Sequence, residues 1–244
     1  INDLDTGVMN WLLKFADDTK LFGKVNTVSD GLKLQKDLQM LVKWSVEWQM
    51  QFNVNKCKTM HIGKKNLDLD YRMNGVVLDV VEVEKDLGVM ISHDLKSSNQ
   101  CLKAYASANK ILGMINRTIE NKNSNIMLNL YKSLVRPHME YCTAVWSPYY
   151  VKDKELIEKI QHRFTKMIIE VKHLSYADRL KKLGLWSLEE RRNRSDLIEV
   201  YKMLHGSTSI SYKNFFEIAS DKRTRGHSMT LVKHRFETKI RQQF

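Results

Sequence analysis

Apolar and polar positions in the first part of the chain predict short strands around one long helix. Val8 to Phe15 and Thr19 to Val25 predict the two arms of a hairpin with a short acidic tip. Ser29-Asp30 can cap a helix that runs to about Met50, because apolar residues recur there at helical spacing. The other predicted strands are Cys57 to Ile62, two arms around the Asn74-Gly75 turn, and Leu87 to Ile91.

Helical spacing of apolar residues dominates from Ser97 onward. A helix from about Ser124 should stop at Arg136, because proline disfavours helical geometry in the residue before it. Ser187 to Glu190 forms a capping-box pattern, which opens a helix ending near His205-Gly206. Two more helices are predicted from apolar stripes. The stripe of the first is Leu102, Tyr105, Ala108, Leu112, Ile115 and Ile119. The second helix covers about Lys152 to Val171, and its stripe is Leu156, Ile160, Phe164 and Met167.

These patterns predict an α+β fold in three parts. Residues 1–94 mix short antiparallel strands with one long helix, and residues 95–220 form an all-α domain. Residues 221–244 form a basic tail with little periodicity, either irregular or a short hairpin. The sequence contains no internal repeat, and no Gly/Ser linker lies between the parts.

The distribution of charge strengthens this division. The 244 residues carry a net charge of +12, with 12 Lys and Arg against 14 Asp and Glu in residues 1–94, and 28 against 14 afterwards. The basic excess of the second part allows a polyanionic partner. No stretch approaches the roughly 20 apolar residues of a membrane span. Three scattered cysteines are too few for a disulfide framework or a zinc knuckle.

Two adjacent carboxylates at the predicted hairpin tip, in Phe15-Ala16-Asp17-Asp18-Thr19-Lys20, are the main catalytic candidates. Like charges this close oppose each other's ionisation, and a divalent metal relieves that conflict. Two metal ions about 4 Å apart can hold the attacking and leaving oxygens of phosphoryl transfer. Mg²⁺ suits this chemistry, because it prefers carboxylate, phosphate and water oxygens. The alternative is an exposed Asp-Asp turn, which is a common structural feature.

Several sequence boxes together resemble one known family. In their order along the chain they are similar to those of the reverse transcriptase of non-LTR (LINE-type) retrotransposons, especially the chicken-repeat-like clade. The resemblance covers essentially the whole chain. The matching segments are Ile1 to Leu4, Phe15 to Lys20, Phe52 to Lys58 with Trp44 before it, Glu84 to Val89, Leu134 to Cys142 with Trp146 to Pro148, Glu189 to Arg192, and Asp221 to Gly226.

The resemblance implies a role for each matched residue. Asp17 would be the principal metal ligand and Asp18 the second acid, with two Mg²⁺ ions in the complete enzyme. Lys56 would protonate or neutralise the departing pyrophosphate, although a solvated strand-end lysine is an equally good interpretation. Leu87-Gly88-Val89 would form the primer grip, and a buried strand is the competing interpretation. The fold implied is the C-terminal part of a polymerase palm, followed by a thumb-like helical domain.

The implied function is an RNA-directed DNA polymerase, which acts by two-metal nucleotidyl transfer on deoxynucleoside triphosphates, an RNA template and a DNA primer. By family, such a protein is intracellular, in a cytoplasmic ribonucleoprotein and in the nucleus. The family's third palm carboxylate lies well upstream of the Asp-Asp box, and only 16 residues precede Asp17 here. We therefore expect a truncated palm that does not synthesise DNA alone. The rival is a non-catalytic nucleic-acid-binding remnant, or a retrotransposon-derived protein recruited to another role.

Basic side chains of the second part are candidates for contact with an RNA–DNA hybrid. A domain that follows a duplex by its backbone needs cations at helical spacing rather than a base-reading code. A solvated helix face is the alternative. The predicted contact residues are Lys159, Arg163 and Lys166, which lie largely opposite an apolar stripe, then Arg191, Arg192 and Arg194, and Lys222, Arg223 and Arg225.

Overall fold

The computed structural model describes residues 2–63, 66–219 and 229–236. The chain divides into two compact units, Ile1–Lys96 and Ser97–Phe244. The fold is α+β, as the hydrophobic pattern predicts, because short strands lie in the first unit and helices dominate the second.

The first unit begins with the predicted hairpin and its long helix. Strand β1 (Trp11–Phe15) pairs antiparallel with β2 (Asp18–Phe22). Helix α1 (Val28–Glu47) follows. The predicted cap at Ser29-Asp30 is wrong by two residues: Thr27 is the N-cap, and Asp30 occupies the third helical position. The Thr27 hydroxyl accepts a hydrogen bond from the Asp30 N–H, and the Asp30 carboxylate accepts one from the Thr27 N–H.

Shorter strands follow α1 in pairs. They are β3 (Lys58–Thr59), β4 (Arg72–Met73), β5 (Val76–Val77), β6 (Asp79–Val80), β7 (Val83–Asp86) and β8 (Val89–Ser92). The β4–β5 and β7–β8 pairs are antiparallel, whereas β3 and β6 are parallel. Asn74-Gly75 forms the turn between β4 and β5, which confirms the turn predicted from that dipeptide.

Two predicted strands of the first unit need correction. Only Lys58–Thr59 of the predicted strand Cys57 to Ile62 is paired, and Val54–Lys56 before it forms a 3₁₀ turn. The predicted strand from Leu87 is wrong at its start, because Leu87-Gly88 is the turn between β7 and β8. Both residues have positive φ, +43° and +93°, which extended backbone excludes.

The core of the first unit lies between α1, the first hairpin and the β4–β5 pair. Its buried members are Leu4, Leu41, Tyr71, Met73 and Leu78. The inner face of the hairpin, which includes Leu12 and Leu21, packs against this cluster. Alternating side chains of the hairpin therefore face the core, and those between them face solvent.

The second unit is built mainly from helices. They are α2 (Ser98–Thr118), α3 (Ser124–Leu130), α4 (Pro137–Glu140), α5 (Thr143–Trp146), α6 (Val151–Met167), α7 (Tyr176–Leu183) and α8 (Leu188–Leu204). The capping box at Ser187 confirms the predicted start of α8. Of the predicted tail, Leu231 forms an isolated antiparallel bridge with Ile218. No helix of the described ranges is long and apolar enough to cross a membrane.

The predicted apolar stripe of α2 is partly wrong. Leu102 is 54% exposed, whereas Cys101 and Ala104 are buried with Ala108. Helix α2 packs mainly on α6, and the face it buries is set by that neighbour rather than by the largest apolar residues. Helix α6 contributes Phe164 to the same core, where its ring stacks on Tyr131 with centroids 4.1 Å apart.

The helical segment from Ser124 ends at Val135, as predicted, and a separate short helix begins at Pro137; Arg136 between them keeps helical φ and ψ. After α3, a π-helical turn spans Tyr131–Val135, and the Arg136 N–H donates to the Tyr131 carbonyl at 2.8 Å. Pro137 then occupies the first position of α4, where a helix needs no N–H donor. The π-helical turn therefore lets the backbone stay helical from Val135 to Pro137.

A buried polar network joins α6 to the start of α8. The Tyr131 hydroxyl donates to Gln161 Oε1 at 2.7 Å, and Gln161 Nε2 donates to the Tyr176 hydroxyl at 3.1 Å. Tyr176 in turn donates to the Glu158 carboxylate, which also accepts from the Leu188 N–H at 3.0 Å. Burial raises the pKa of Glu158, and these two hydrogen bonds oppose the rise.

Candidate functional site

The first hairpin places two carboxylates at its exposed tip. Phe15 pairs with Asp18, so Ala16 and Asp17 form a two-residue turn. Ala16 has a φ of +52°, the left-handed conformation that the first position of such tight turns adopts. Asp17 and Asp18 are both exposed, and Phe15 beside them is 64% exposed. The tip therefore presents adjacent acids and one aromatic ring to solvent.

A buried carboxylate on α1 fixes the start of this hairpin. Asp37 is 0% exposed and accepts hydrogen bonds from the backbone N–H groups of Met9 and Asn10, each at 2.9 Å. It also accepts one from the Asn10 side-chain amide at 2.7 Å. Sequence reasoning missed Asp37. The available signal was an acid lying between Leu34 and Leu38 on an otherwise apolar stripe.

The predicted primer-grip residues lie at the tip of the second hairpin. Leu87 is 48% exposed in the β7–β8 turn, whereas Val89 begins β8 and is 4% exposed. The buried-strand interpretation is confirmed for Val89 alone, and the role of the segment as a primer grip stays a prediction. Leu87-Gly88 forms an exposed turn, and Val89 belongs to a buried strand.

An ion pair brings the two hairpins together. Lys20 Nζ, on β2, donates to the carboxylate of Asp86, the last residue of β7. Side chains on a strand alternate, so Lys20 shares the outer face of β2 with Asp18. Asp86 directly precedes the Leu87-Gly88 turn. The structure thus places the second hairpin's turn beside the strand that carries one of the two acids.

Lys56 occupies a different position from the acids. It ends the Val54–Lys56 turn, and its side chain is exposed. No hydrogen bond or ion pair within the described ranges joins it to Asp17 or Asp18. Its neighbour Lys58 is ion-paired with Asp79 at 2.6 Å. The predicted role of Lys56 in pyrophosphate release stays a prediction.

Asp17 and Asp18 offer the oxygen ligands that Mg²⁺ prefers, but two carboxylates are too few to form a metal site by themselves. Carboxylate oxygens are ligands that Mg²⁺ accepts, together with water and phosphate. Among the described residues, however, no group of three or more His, Cys, Asp or Glu side chains is arranged to hold a metal ion. Asp17 and Asp18 alone do not form a complete metal site. They could serve only as two ligands of a site that other groups complete.

The basic residues predicted on α6 share an exposed face. Lys159, Arg163 and Lys166 are all exposed, whereas Ile160 and Phe164 on the opposite side are buried. Arg163 also donates to the Asn109 side chain on α2 at 2.7 Å. This face therefore presents three cations at helical spacing to solvent.

The three arginines of α8 have unequal surroundings. Arg194 is exposed and lies over the Trp186 ring, 5.8 Å from its centroid. Arg191 is half-buried and forms a forked ion pair with Glu140, whose Oε2 lies 3.0 Å from Arg191 Nη2. Arg192 is only 2% exposed, so it is not part of the solvent-facing surface expected for backbone contact. Lys222, Arg223 and Arg225 lie outside the described residues.

Comparison with known proteins assigns no family to the chain. No protein-family model matches the sequence, and no curated protein or solved structure matches it. The resemblance to reverse transcriptases therefore depends on the sequence boxes alone.

Proposed function

We propose that the first unit carries part of the palm of an RNA-directed DNA polymerase of a non-LTR retrotransposon. One observation carries the proposal: a tight hairpin with adjacent acids at its tip is ion-paired, through Lys20 and Asp86, to a second hairpin. In the proposed enzyme, Asp17 and Asp18 contribute carboxylate oxygens to the metal site. The Leu87-Gly88 turn contacts the primer terminus.

The chemistry assigned to this chain is mainly positioning. Bound Mg²⁺ would neutralise charge on the reacting oxygens in nucleotidyl transfer. The protein's own part is to hold two carboxylates at the tip of a hairpin, Asp17 in the turn and Asp18 at the start of β2. The β1–β2 pairing and the Asp37 hydrogen bonds fix this hairpin. Prepositioned groups lower the barrier because their ordering is completed before the reaction.

The basic face of α6 supports the choice of nucleic acid as the partner. Lys159, Arg163 and Lys166 can each contact a phosphate of an RNA–DNA hybrid without reading its bases. Such binding releases counterions, so its affinity should fall steeply as salt rises. The net positive charge of residues 95–244 favours the same partner.

A second candidate is non-catalytic binding of nucleic acid. The observation that favours it is the lack of a three-ligand acidic group among the described residues. In that case the basic residues would still bind a hybrid, and Asp17 and Asp18 would form only an exposed acidic turn. The two candidates therefore differ in what the acids do and agree on the partner.

Mn²⁺ binding separates the two candidates. The chain is mixed with an RNA–DNA hybrid and a deoxynucleoside triphosphate, and bound Mn²⁺ is measured by electron paramagnetic resonance. The polymerase proposal predicts that Asp17→Asn and Asp18→Asn each weaken Mn²⁺ binding by about tenfold or more, the order expected when a group of the ligand shell is lost. Hybrid binding should persist in both variants.

Asp70→Asn is the matched control, because Asp70 is exposed, lies in the same unit and changes the charge equally. It should leave Mn²⁺ binding unchanged. If Asp17→Asn behaves like Asp70→Asn while the hybrid still binds, the polymerase proposal fails and non-catalytic binding stands. If the hybrid does not bind even at low salt, both candidates fail.

A further inference from the structure

A small cleft lies between α5 and the first half of α8. Its volume is about 170 Å³, well above the roughly 10–15 Å³ that a cavity needs to hold one water molecule. Three arginines contribute to its walls, together with the Thr143 and Ser195 side chains and one carboxylate, Glu140. The lining is therefore polar and carries an excess of positive charge.

Arg192 is the unusual member of this lining. It is 2% exposed, and neither Nη1 nor Nη2 has a hydrogen-bond partner within the described ranges. Burial lowers the pKa of Arg192, and the negative charges of Glu158 and Glu189 oppose that effect. A buried guanidinium without partners is costly, so proteins satisfy such groups with another side chain, water or a bound anion.

The one carboxylate of the cleft is already engaged. Glu140 accepts the forked hydrogen bonds of Arg191, and its Oε2 lies 3.4 Å from Arg136 Nε. It is therefore shared by two arginines, neither of which is Arg192. Among the described residues, the guanidinium in this lining whose Nη atoms lack a hydrogen-bond partner is that of Arg192. The carboxylates of Glu158, Glu189 and Asp196 reduce its excess charge without bonding to those atoms. Exposed Arg194 lines the same cleft.

We propose that this cleft binds a single phosphate group. Arginine suits a tetrahedral oxyanion, because the planar guanidinium can donate two parallel hydrogen bonds to phosphate oxygens. The Thr143 and Ser195 hydroxyls can donate to the other oxygens. The phosphate would reach the two unpartnered Nη atoms of Arg192 from the side of the cleft.

The phosphate can come from two sources, the backbone of an RNA–DNA hybrid or a free phosphate ion. The first source rests on the proposed function, and the second does not. The two are distinguished by titrating the full chain with inorganic phosphate and then adding the hybrid. Displacement of bound phosphate by the hybrid assigns the cleft to the nucleic-acid backbone, whereas simultaneous binding assigns it to free phosphate.

The decisive variant is Ser195→Asp, which places a carboxylate in the cleft one helical turn from Arg192. Isothermal titration calorimetry with inorganic phosphate should show affinity reduced by about tenfold or more, the effect of losing a charge-assisted hydrogen bond. The melting temperature should rise, because the new carboxylate supplies the partner that Arg192 lacks.

Asn193→Asp is the control, because it adds the same charge to the same helix at an exposed position outside the cleft. Its phosphate affinity should stay close to that of the parent. Equal phosphate affinities for the two variants, or no measurable phosphate binding by the parent chain, would overturn the proposal. If the parent chain binds Mn²⁺ and the hybrid but no phosphate, only the cleft proposal fails, and the proposed function stands.

Discussion

At the scale of single residues, two turns of the first unit have the same backbone conformation but different residues. Asn74-Gly75 and Leu87-Gly88 both have positive φ at both positions. Asparagine tolerates that conformation, whereas leucine does not, since its Cβ crowds the following carbonyl. The Asn74-Gly75 turn could be predicted because Asn-Gly is a typical dipeptide of two-residue hairpin turns. Sequence reasoning missed the second turn because an apolar residue at the turn extends the apolar run of β8.

Replacing Leu87 with asparagine should therefore stabilise the first unit. We expect Leu87→Asn to raise the free energy of unfolding by about 0.5–1 kcal/mol, because the strain of a leucine at positive φ is relieved. Urea denaturation measures it. The matched control is Asn74→Leu, which should lower stability by a similar amount. If the Leu87 side chain contacts the primer, Leu87→Asn should also weaken hybrid binding, so an unchanged hybrid affinity would count against that contact.

At the scale of elements, buried polar contacts add to apolar packing in both units. Asp37 joins α1 to β1, and the Glu158 network joins α6 to the start of α8. Hydrophobic periodicity located most helices, but it carries no information about which buried polar groups meet across elements. It also misplaced the buried face of α2, because packing against α6 selected small residues such as Ala104.

The Glu158 network makes a pH prediction. The folded-state pKa of Glu158 is raised above its ordinary value of 4.5, mainly by burial. Its contribution to stability is therefore greatest below that value, and it is lost as pH rises through the folded-state pKa. We expect Glu158→Gln to remove this loss as pH rises above 4.5, because the amide keeps an acceptor oxygen and does not titrate. Denaturation from pH 4.5 upward, compared with the parent chain, measures the difference. A difference between the two proteins that does not change with pH would contradict the prediction.

The Lys20–Asp86 pair makes a second prediction at this scale. Both side chains are partly exposed, 48% and 34%, so the pair should contribute little to stability. A double-mutant cycle with Lys20→Met and Asp86→Asn should give a coupling of roughly 0.5 kcal/mol, reduced at high salt. The Lys58–Asp79 pair is a matched control, because it does not join the two hairpins. We expect only the Lys20 and Asp86 variants to change hydrogen exchange in the β7–β8 turn, and equal changes in both sets would contradict this role.

At the scale of the whole molecule, charge and fold change together along the chain. Residues 1–94 are slightly acidic, and residues 95–244 carry the basic excess. The predicted boundary at residue 94 lies close to the division at Lys96. The composition of the two units therefore differs mainly in charge. It could not distinguish exposed Lys159 from buried Arg192, because burial depends on which helices pack together.

The central claim is that the two hairpins of the first unit handle the end of a primer. It is tested most directly by photo-crosslinking the full chain to an RNA–DNA hybrid, with a 4-thiothymidine at the primer 3′ terminus and mass spectrometry to locate the crosslinks. We expect crosslinks at Phe15 to Asp18 and at Leu87 to Val89, and we expect them to disappear when the label is moved to the opposite end of the primer. Crosslinks confined to residues 97–244, with none at either hairpin tip, would contradict it.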